Sequence, residues 1–245
     1  MYKKDTLSAL DAITEAQRIA FAPMLFQTAL CLRNSGVLDY LDHQGKLGAT
    51  LEAICEHCKV NEYAVSVLLD MGLSGRILTH KGECYYLAKV GHFLLHDTMT
   101  RVNMDFTQDV CYQGLFFLEN ALQEGKPTGL KVFGDWPTIY PALAQLPQAA
   151  RKSWFAFDHY YSDGAFNAAL PFVFASQPAT LYDVGGNTGK WALRCCQYDE
   201  NIAVTLLDLP QQIALARENI ENAGLTHRID FHAVDMLSDA QDRKS

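Results

Sequence analysis

Asp183, Asp208 and Asp235 each stand at or near the end of a short apolar run, and the first leads directly into Val184-Gly-Gly-Asn-Thr-Gly189. Carboxylates beside a glycine-rich turn are suited to holding the hydroxyls and amines of a polar ligand. Gly185, Gly186 and Gly189 permit backbone conformations closed to other residues and let a ligand approach the main chain. Asn187 is a non-glycine residue that tolerates a left-handed turn. The spacing excludes two familiar nucleotide loops. Counting from Gly185, the third and sixth positions of a dinucleotide fingerprint are Asn187 and Lys190 rather than glycine. Gly189-Lys190 is followed by Trp191, where a triphosphate loop needs Ser or Thr.

The elements that must position these groups follow from hydrophobic periodicity. Thr180–Val184 reads as a strand, and a helical pattern runs from Lys190 through Tyr198. Ile202–Leu207 reads as a buried strand bounded by Asp208. Pro210 suits the first turn of a helix and Gly224 the position just past its end. Within that helix Ile213, Ala216, Ile220 and Ala223 recur at helical spacing and give one face to a sheet. Ile229–Val234 reads as a third strand. The stretch from Ala179 to Met236 is therefore βαβαβ, with the loop and both later carboxylates at strand carboxyl ends, where open α/β sheets bind ligands. An isolated Asp ahead of a helix more often caps it. Three such features at matching positions favour a nucleoside site.

Asp183-Val-Gly-Gly-Asn-Thr-Gly189, Leu207-Asp-Leu-Pro210 and Val234-Asp-Met-Leu237 together resemble three successive signatures of S-adenosylmethionine-dependent O-methyltransferases of the caffeate and acetylserotonin type. The resemblance implies S-adenosylmethionine as cofactor. The cofactor-binding residues it implies are Asp183, Gly185, Gly186, Asn187, Asp208, Leu209, Asp235 and Met236. The Gly185 loop would hold the methionine part, Asp208 the ribose, and Asp235 with Met236 the adenine. Asn187 departs from the glycine commoner at that place in the family.

The resemblance extends to the front of the chain. Leu51–Cys58, the Val60-Asn61 break, Glu62–Met71, Ile77–His80 and Cys84–Leu87 spell helix, turn, helix and hairpin. In the resembled family a winged-helix-like module at this place serves dimerisation. The expected fold class is mixed, an α-helical winged-helix-like N-terminal domain followed by an incomplete α/β Rossmann-like methyltransferase domain. The expected divisions are 1–95 for the dimerisation domain, 96–177 for a helical linker and substrate-pocket segment, and 178–245 for the first half of the cofactor-binding domain. A homodimer through the N-terminal half is expected, with Leu25, Leu30, Leu32 and Leu38 as interface candidates.

Charge argues against nucleic acid as partner. No Lys or Arg lies between Asn61 and Gly75, the would-be recognition helix and its turn, and phosphate neutralisation needs them. The whole chain carries a formal charge of −8, which also disfavours anionic membrane surfaces. The 245 residues, 49% of them hydrophobic, suffice for a sizeable core. The sequence shows no signal peptide and no bilayer-length apolar run, so a cytoplasmic protein is expected. Seven scattered cysteines fit reduced thiols. Cys55-Glu-His-Cys58 has the spacing of half a zinc site, but no second close pair follows and packing is the commoner role, so no metal is expected.

The acceptor side is sought in the aromatic run Trp154–Tyr161. Phe157 and Tyr161 are the candidates for stacking on a planar small-molecule acceptor, although their (i, i+4) spacing also suits ordinary core packing. His159 is not assigned as base. In the resembled family the base is a histidine well beyond the third strand, hence expected beyond Ser245. Only one of the two βαβαβ halves of a doubly wound sheet precedes the polar tail Ser238–Ser245. The sequence reading is therefore an O-methyltransferase acting on a hydroxyl of a small aromatic acceptor, in a truncated form expected to be inactive alone. The alternatives are a non-catalytic dimerisation or regulatory remnant and a winged-helix regulator.

Overall fold

The computed structural model describes residues 5–236, so the polar tail Ser238–Ser245 and the opening Met1–Lys4 lie outside the described residues. The chain divides between Met104 and Asp105 into two compact units, a helical N-terminal one and a second that carries a parallel sheet flanked by helices.

The first unit opens with the long helix α1 (Ala9–Asn34) and continues through α2 (Val37–Gln44), β1 (Ala49–Thr50), α3 (Leu51–Cys58), α4 (Glu62–Ser74), β2 (Leu78–Lys81), β3 (Cys84–Leu87) and α5 (Lys89–His96). Helix α6 (Thr98–Phe106) carries the boundary. Side-chain oxygens of Ser8, Thr50 and Asn61 accept backbone N–H groups at the starts of α1, α3 and α4, satisfying donors that a helix leaves unpaired. The three strands form an antiparallel sheet in the order β1-β3-β2.

The core of this unit corrects the expected interface. Leu30, Leu32 and Leu38 are buried among Val37, Leu41, Ile54, Val65, Leu69, Ile77 and Leu78, and Leu25 packs against the same cluster. They fill the unit's own interior. The apolar residues left in solvent in this unit include Leu10, Ile13, Phe21 and Met24 of α1, with Ile19 exposed on another side of the same helix. At 100° per residue the first four fall on one stripe of the helix.

The second unit contains α7 (Leu118–Glu124), the long helix α8 (Gln148–Val173) and then β4 (Thr180–Val184), α9 (Lys190–Tyr198), β5 (Ala203–Asp208), α10 (Pro210–Asn222) and β6 (Ile229–Ala233). The expected βαβαβ order is present, with β5 displaced by one residue toward Asp208. The sheet is parallel in the order β4-β5-β6. Its core joins Val204, Leu206 and Ile229 of the strands to Ala192, Cys195, Ile213, Ala216 and Ile220 of the helices. Arg228 donates to the carbonyls of Cys196, Asp199 and Ile202 at 2.8, 2.6 and 2.8 Å, tying the turn before β6 to the turn before β5. Burial, with the nearby Asp183 and Cys196 charges, pushes the Cys195 thiol up to about 12, which makes it packing material rather than a nucleophile.

Strand β4 lies at one edge of the sheet among the described residues. Alternation along it turns Asp183 inward and leaves Tyr182 and Val184 in solvent, 70% and 59% exposed. A parallel sheet in this order sets the carboxyl ends of all three strands at one end of the unit.

Candidate functional site

The loop from Val184 to Lys190 connects the edge strand to α9. The Gly185 N–H donates to the Leu207 carbonyl at 2.8 Å, so the turn begins while still paired to β5. Gly186 sits where a Cβ would lie 2.7 Å from Leu206 Cγ and 2.8 Å from Asp183 Oδ2. It is needed for close packing of loop on strand. Asn187 and Gly189 occupy positive φ, at 51° and 76°, the region the sequence anticipated at Asn187. A Cβ at Gly185 would meet nothing within 4 Å. The outer side of the turn is open space.

Asp208, at the carboxyl end of β5, faces this turn. Its Oδ2 accepts the Asn187 backbone N–H at 2.8 Å and its Oδ1 accepts the Leu209 N–H at 2.7 Å. The alternative role of helix cap is not the one it takes. The residue preceding α10 is Leu209, which makes no side-chain cap, and the carboxylate instead reaches back to the glycine turn. Asp183, in the same loop signature, behaves differently. It is buried, and its Oδ2 accepts the Ala192 N–H at 3.2 Å in the first turn of α9. Burial, reinforced by the nearby Asp208 charge and opposed by the Ala192 N–H, pushes its carboxyl up to about 6. Asp235 is half-buried and Met236 exposed, both just past the carboxyl end of β6.

Helix α8 supplies a set of contacts that the sequence reading missed. Asp158 Oδ2 accepts Asn187 Nδ2 at 2.6 Å, and His159 Nε2 lies 3.3 Å from Thr188 Oγ1. Asp163 receives the Lys190 ammonium at 2.7 Å, and Asn167 receives Arg194. His159, Asp163 and Asn167 are spaced four apart and share one helix face. Burial would raise the Asp163 carboxyl, but the Lys190 hydrogen bond and charge, with Ser162 and His159, outweigh it and hold the group below its ordinary value. The loop is thus fixed from β5 on one side and α8 on the other. Asn187 Oδ1 is left buried without a partner, and a buried acceptor without a donor usually marks a place that a ligand or water fills.

Phe157 and Tyr161 do come together, with ring centroids 5.0 Å apart, and Phe157 stacks on Phe106 at 4.1 Å. The same contacts satisfy the packing alternative. Asp158, the neighbour of Phe157 in the chain, carries the hydrogen bond to Asn187. Between α8 and α10 lies a cavity of about 450 Å³ lined by Arg151, Phe155, Thr188, Gln211, Gln212, Leu215 and Glu218. It shares only Thr188 with the loop. His159 is half-buried, with Nδ1 3.3 Å from Asp163 Oδ1 but without a hydrogen-bond partner.

Residues 14–85 match the Dimerisation2-like domain, and residues 165–242 match the O-methyltransferase domain. The L-tyrosine C(3)-methyltransferase of Streptomyces lavendulae is 26% identical over 200 residues, 80% of this chain and 54% of that protein. The N,N-dimethyltransferase OxyT of Streptomyces rimosus is 25% identical over 238 residues, 96% of this chain and 68% of that protein. Among solved structures, PigF with SAH superposes with a TM-score of 0.68 at 18% identity, covering 94% of this chain and 67% of that one. The chain thus joins a Dimerisation2-like domain to an O-methyltransferase domain, and spans between about half and two thirds of the length of these relatives.

Proposed function

We propose that this chain provides the dimerisation and cofactor-binding parts of an S-adenosylmethionine-dependent methyltransferase acting on a hydroxyl of a small aromatic acceptor. The observation that carries the reading is the Asp208–Asn187 bond. It couples the carboxylate at the end of β5 to a glycine turn that is open on its outer side. The residues fit the cofactor: the orphan Asn187 Oδ1 and the space outside Gly185 lie where the sequence reading puts the methionine part. Asp208 Oδ1 and Oδ2 each keep a lone pair for a ribose hydroxyl, with Leu209 beside it. Asp235 and Met236 would flank the adenine. When bound, the cofactor supplies a sulfonium methyl as electrophile.

The chain's own contribution is positioning. Holding the acceptor oxygen in line with the methyl removes translational and rotational freedom that the uncatalysed encounter would lose. Phe157 and Tyr161 would stack on the acceptor ring. The acceptor hydroxyl would have to give its proton to a base, for which no described residue is assigned. The O-methyltransferase domain favours oxygen as acceptor atom, while one relative is named for a ring carbon of tyrosine and another for nitrogen. We further infer a homodimer through the exposed α1 stripe, supported by the match of residues 14–85 to the Dimerisation2-like domain. Free thiols suit a cytoplasmic setting, and among the described residues no helix is long and apolar enough to cross a membrane.

Calorimetric titration of S-adenosylhomocysteine into the wild type and Asp208→Asn tests the cofactor assignment. Binding by the wild type that weakens in a folded variant supports it, and equal affinities sink the ribose role. Transfer of labelled methyl to parallel phenol, amine and aromatic-carbon panels then tests the acceptor atom.

A further inference from the structure

We propose that Asp42, His92 and His96 form a surface site for one divalent transition-metal ion of the zinc type. The site follows from how the first unit is built. Helix α5 sets His92 and His96 four residues apart, hence on one face one above the other. Helix α2 contributes Asp42 next to the buried Leu41. The core contacts that seat α2 therefore fix the carboxylate opposite the two imidazoles.

The donor atoms are already gathered. His96 Nε2 lies 2.8 Å from Asp42 Oδ2, and His92 Nδ1 lies 3.6 Å from Asp42 Oδ1. One ligand atom from each residue lies within 4.8 Å of the others. Zinc bonds of about 2.0–2.2 Å in tetrahedral geometry set ligand atoms roughly 3.3–3.6 Å apart. The observed spacing brackets that range, so small side-chain rotations suffice and the backbone need not move. A fourth position would remain for water, the three-ligand arrangement of an open zinc site.

Ligand chemistry selects the ion. Two imidazoles and one carboxylate suit zinc, nickel, copper or cobalt, whereas calcium and magnesium need mostly oxygen donors. Lys46, Lys81 and Lys89 line the same depression as Asp42 and His92. Their charge opposes any dication, so affinity at this site rests on the imidazole–metal bonds that zinc-type ions make and hard cations do not. His43, adjacent in sequence to Asp42, is not a member: its Nδ1 lies 2.8 Å from the Asp39 carbonyl on its own helix. A bound ion would clamp α5 to α2 and stabilise the unit by linkage.

The test uses the full chain freed of metal with chelator, then titrated with Zn²⁺ alone in a calorimeter and with Co²⁺ while visible absorption is recorded. The expected result is one equivalent per chain, a cobalt spectrum with d–d bands, and a raised melting temperature. His92→Ala and His96→Ala should each weaken binding tenfold or more, and His43→Ala should leave it unchanged. Circular dichroism checks that the variants fold. Should either fail to fold, an NMR titration of the wild type reports which imidazoles respond to Zn²⁺, and responses confined to other histidines overturn the proposal. Failure of the wild type to bind Zn²⁺, or unchanged binding by the folded His92→Ala/His96→Ala double variant, also overturns it.

Discussion

Asp208 Oδ2 accepts the backbone N–H of Asn187 at 2.8 Å, joining the end of β5 to the glycine turn across 21 residues of sequence. Asn187 holds φ of 51°, a conformation that is unfavourable for a side-chain-bearing residue. The carboxylate therefore orders the turn before any ligand arrives.

Asp208→Asn should loosen the turn as well as weaken S-adenosylhomocysteine. A charge-assisted hydrogen bond is worth on the order of 1.5–3 kcal/mol, so an affinity loss of roughly tenfold to a hundredfold is expected. Amide exchange at Asn187 should quicken in the ligand-free variant. Unchanged exchange there would separate the ligand role from the loop-ordering role.

Gly186→Ala should destabilise the second unit more than a surface substitution. Its Cβ would fall 2.7 Å from Leu206 Cγ and 2.8 Å from Asp183 Oδ2, atoms of a buried side chain and of a carboxylate bonded to α9. Overpacking of this kind costs about 1–3 kcal/mol. Guanidinium unfolding of the variant should show a lower midpoint at unchanged slope.

Asp183 gives the fold a pH dependence of unusual sign for a carboxylate. Burial pushes its carboxyl up to about 6 from an ordinary 3.8, so between those values the folded state binds more protons than the unfolded state. Stability attributable to this group is therefore greatest at low pH and falls as pH rises from about 4 to 6. The displacement corresponds to roughly 3 kcal/mol. The Ala192 contact can persist in Asp183→Asn, since an amide oxygen also accepts the Ala192 N–H. That variant should lose the slope between pH 4 and 6, measured by urea unfolding at several pH values.

If the proposed homodimer forms through α1, polar substitutions at Leu10, Ile13, Phe21 and Met24 should dissociate it while leaving the unit folded, because these side chains are exposed in the single chain. Leu32→Ala and Leu38→Ala should instead cost about 2–5 kcal/mol of stability, since both residues are fully buried. Sedimentation velocity and thermal unfolding on the two sets distinguish the roles. A clean monomer for the wild type at micromolar concentration would end the dimer proposal.

The sequence by itself determined the βαβαβ order, the glycine turn and the two carboxylates at strand ends. These are local features: alternation, helical periodicity and glycine spacing act within a few residues and leave their pattern in the chain. It also marked Asn187 as a residue that tolerates a left-handed turn, the conformation it takes at φ of 51°. Only the tertiary structure decided what each polar group does there. Asp183 and Asp208 read alike in sequence, yet alternation on β4 buries the first against α9 and β5 aims the second at Asn187. The α8 contacts to Asn187, Thr188 and Lys190 cross 27 to 29 residues, and no periodicity encodes such a pairing. The leucines of α1 show the same limit: Leu10 and Leu32 are chemically identical, and only the helices packed around the second make it core. Asp42 and His96 meet across 54 residues for the same reason, since the fold of the first unit brings two helices together that the sequence lists far apart.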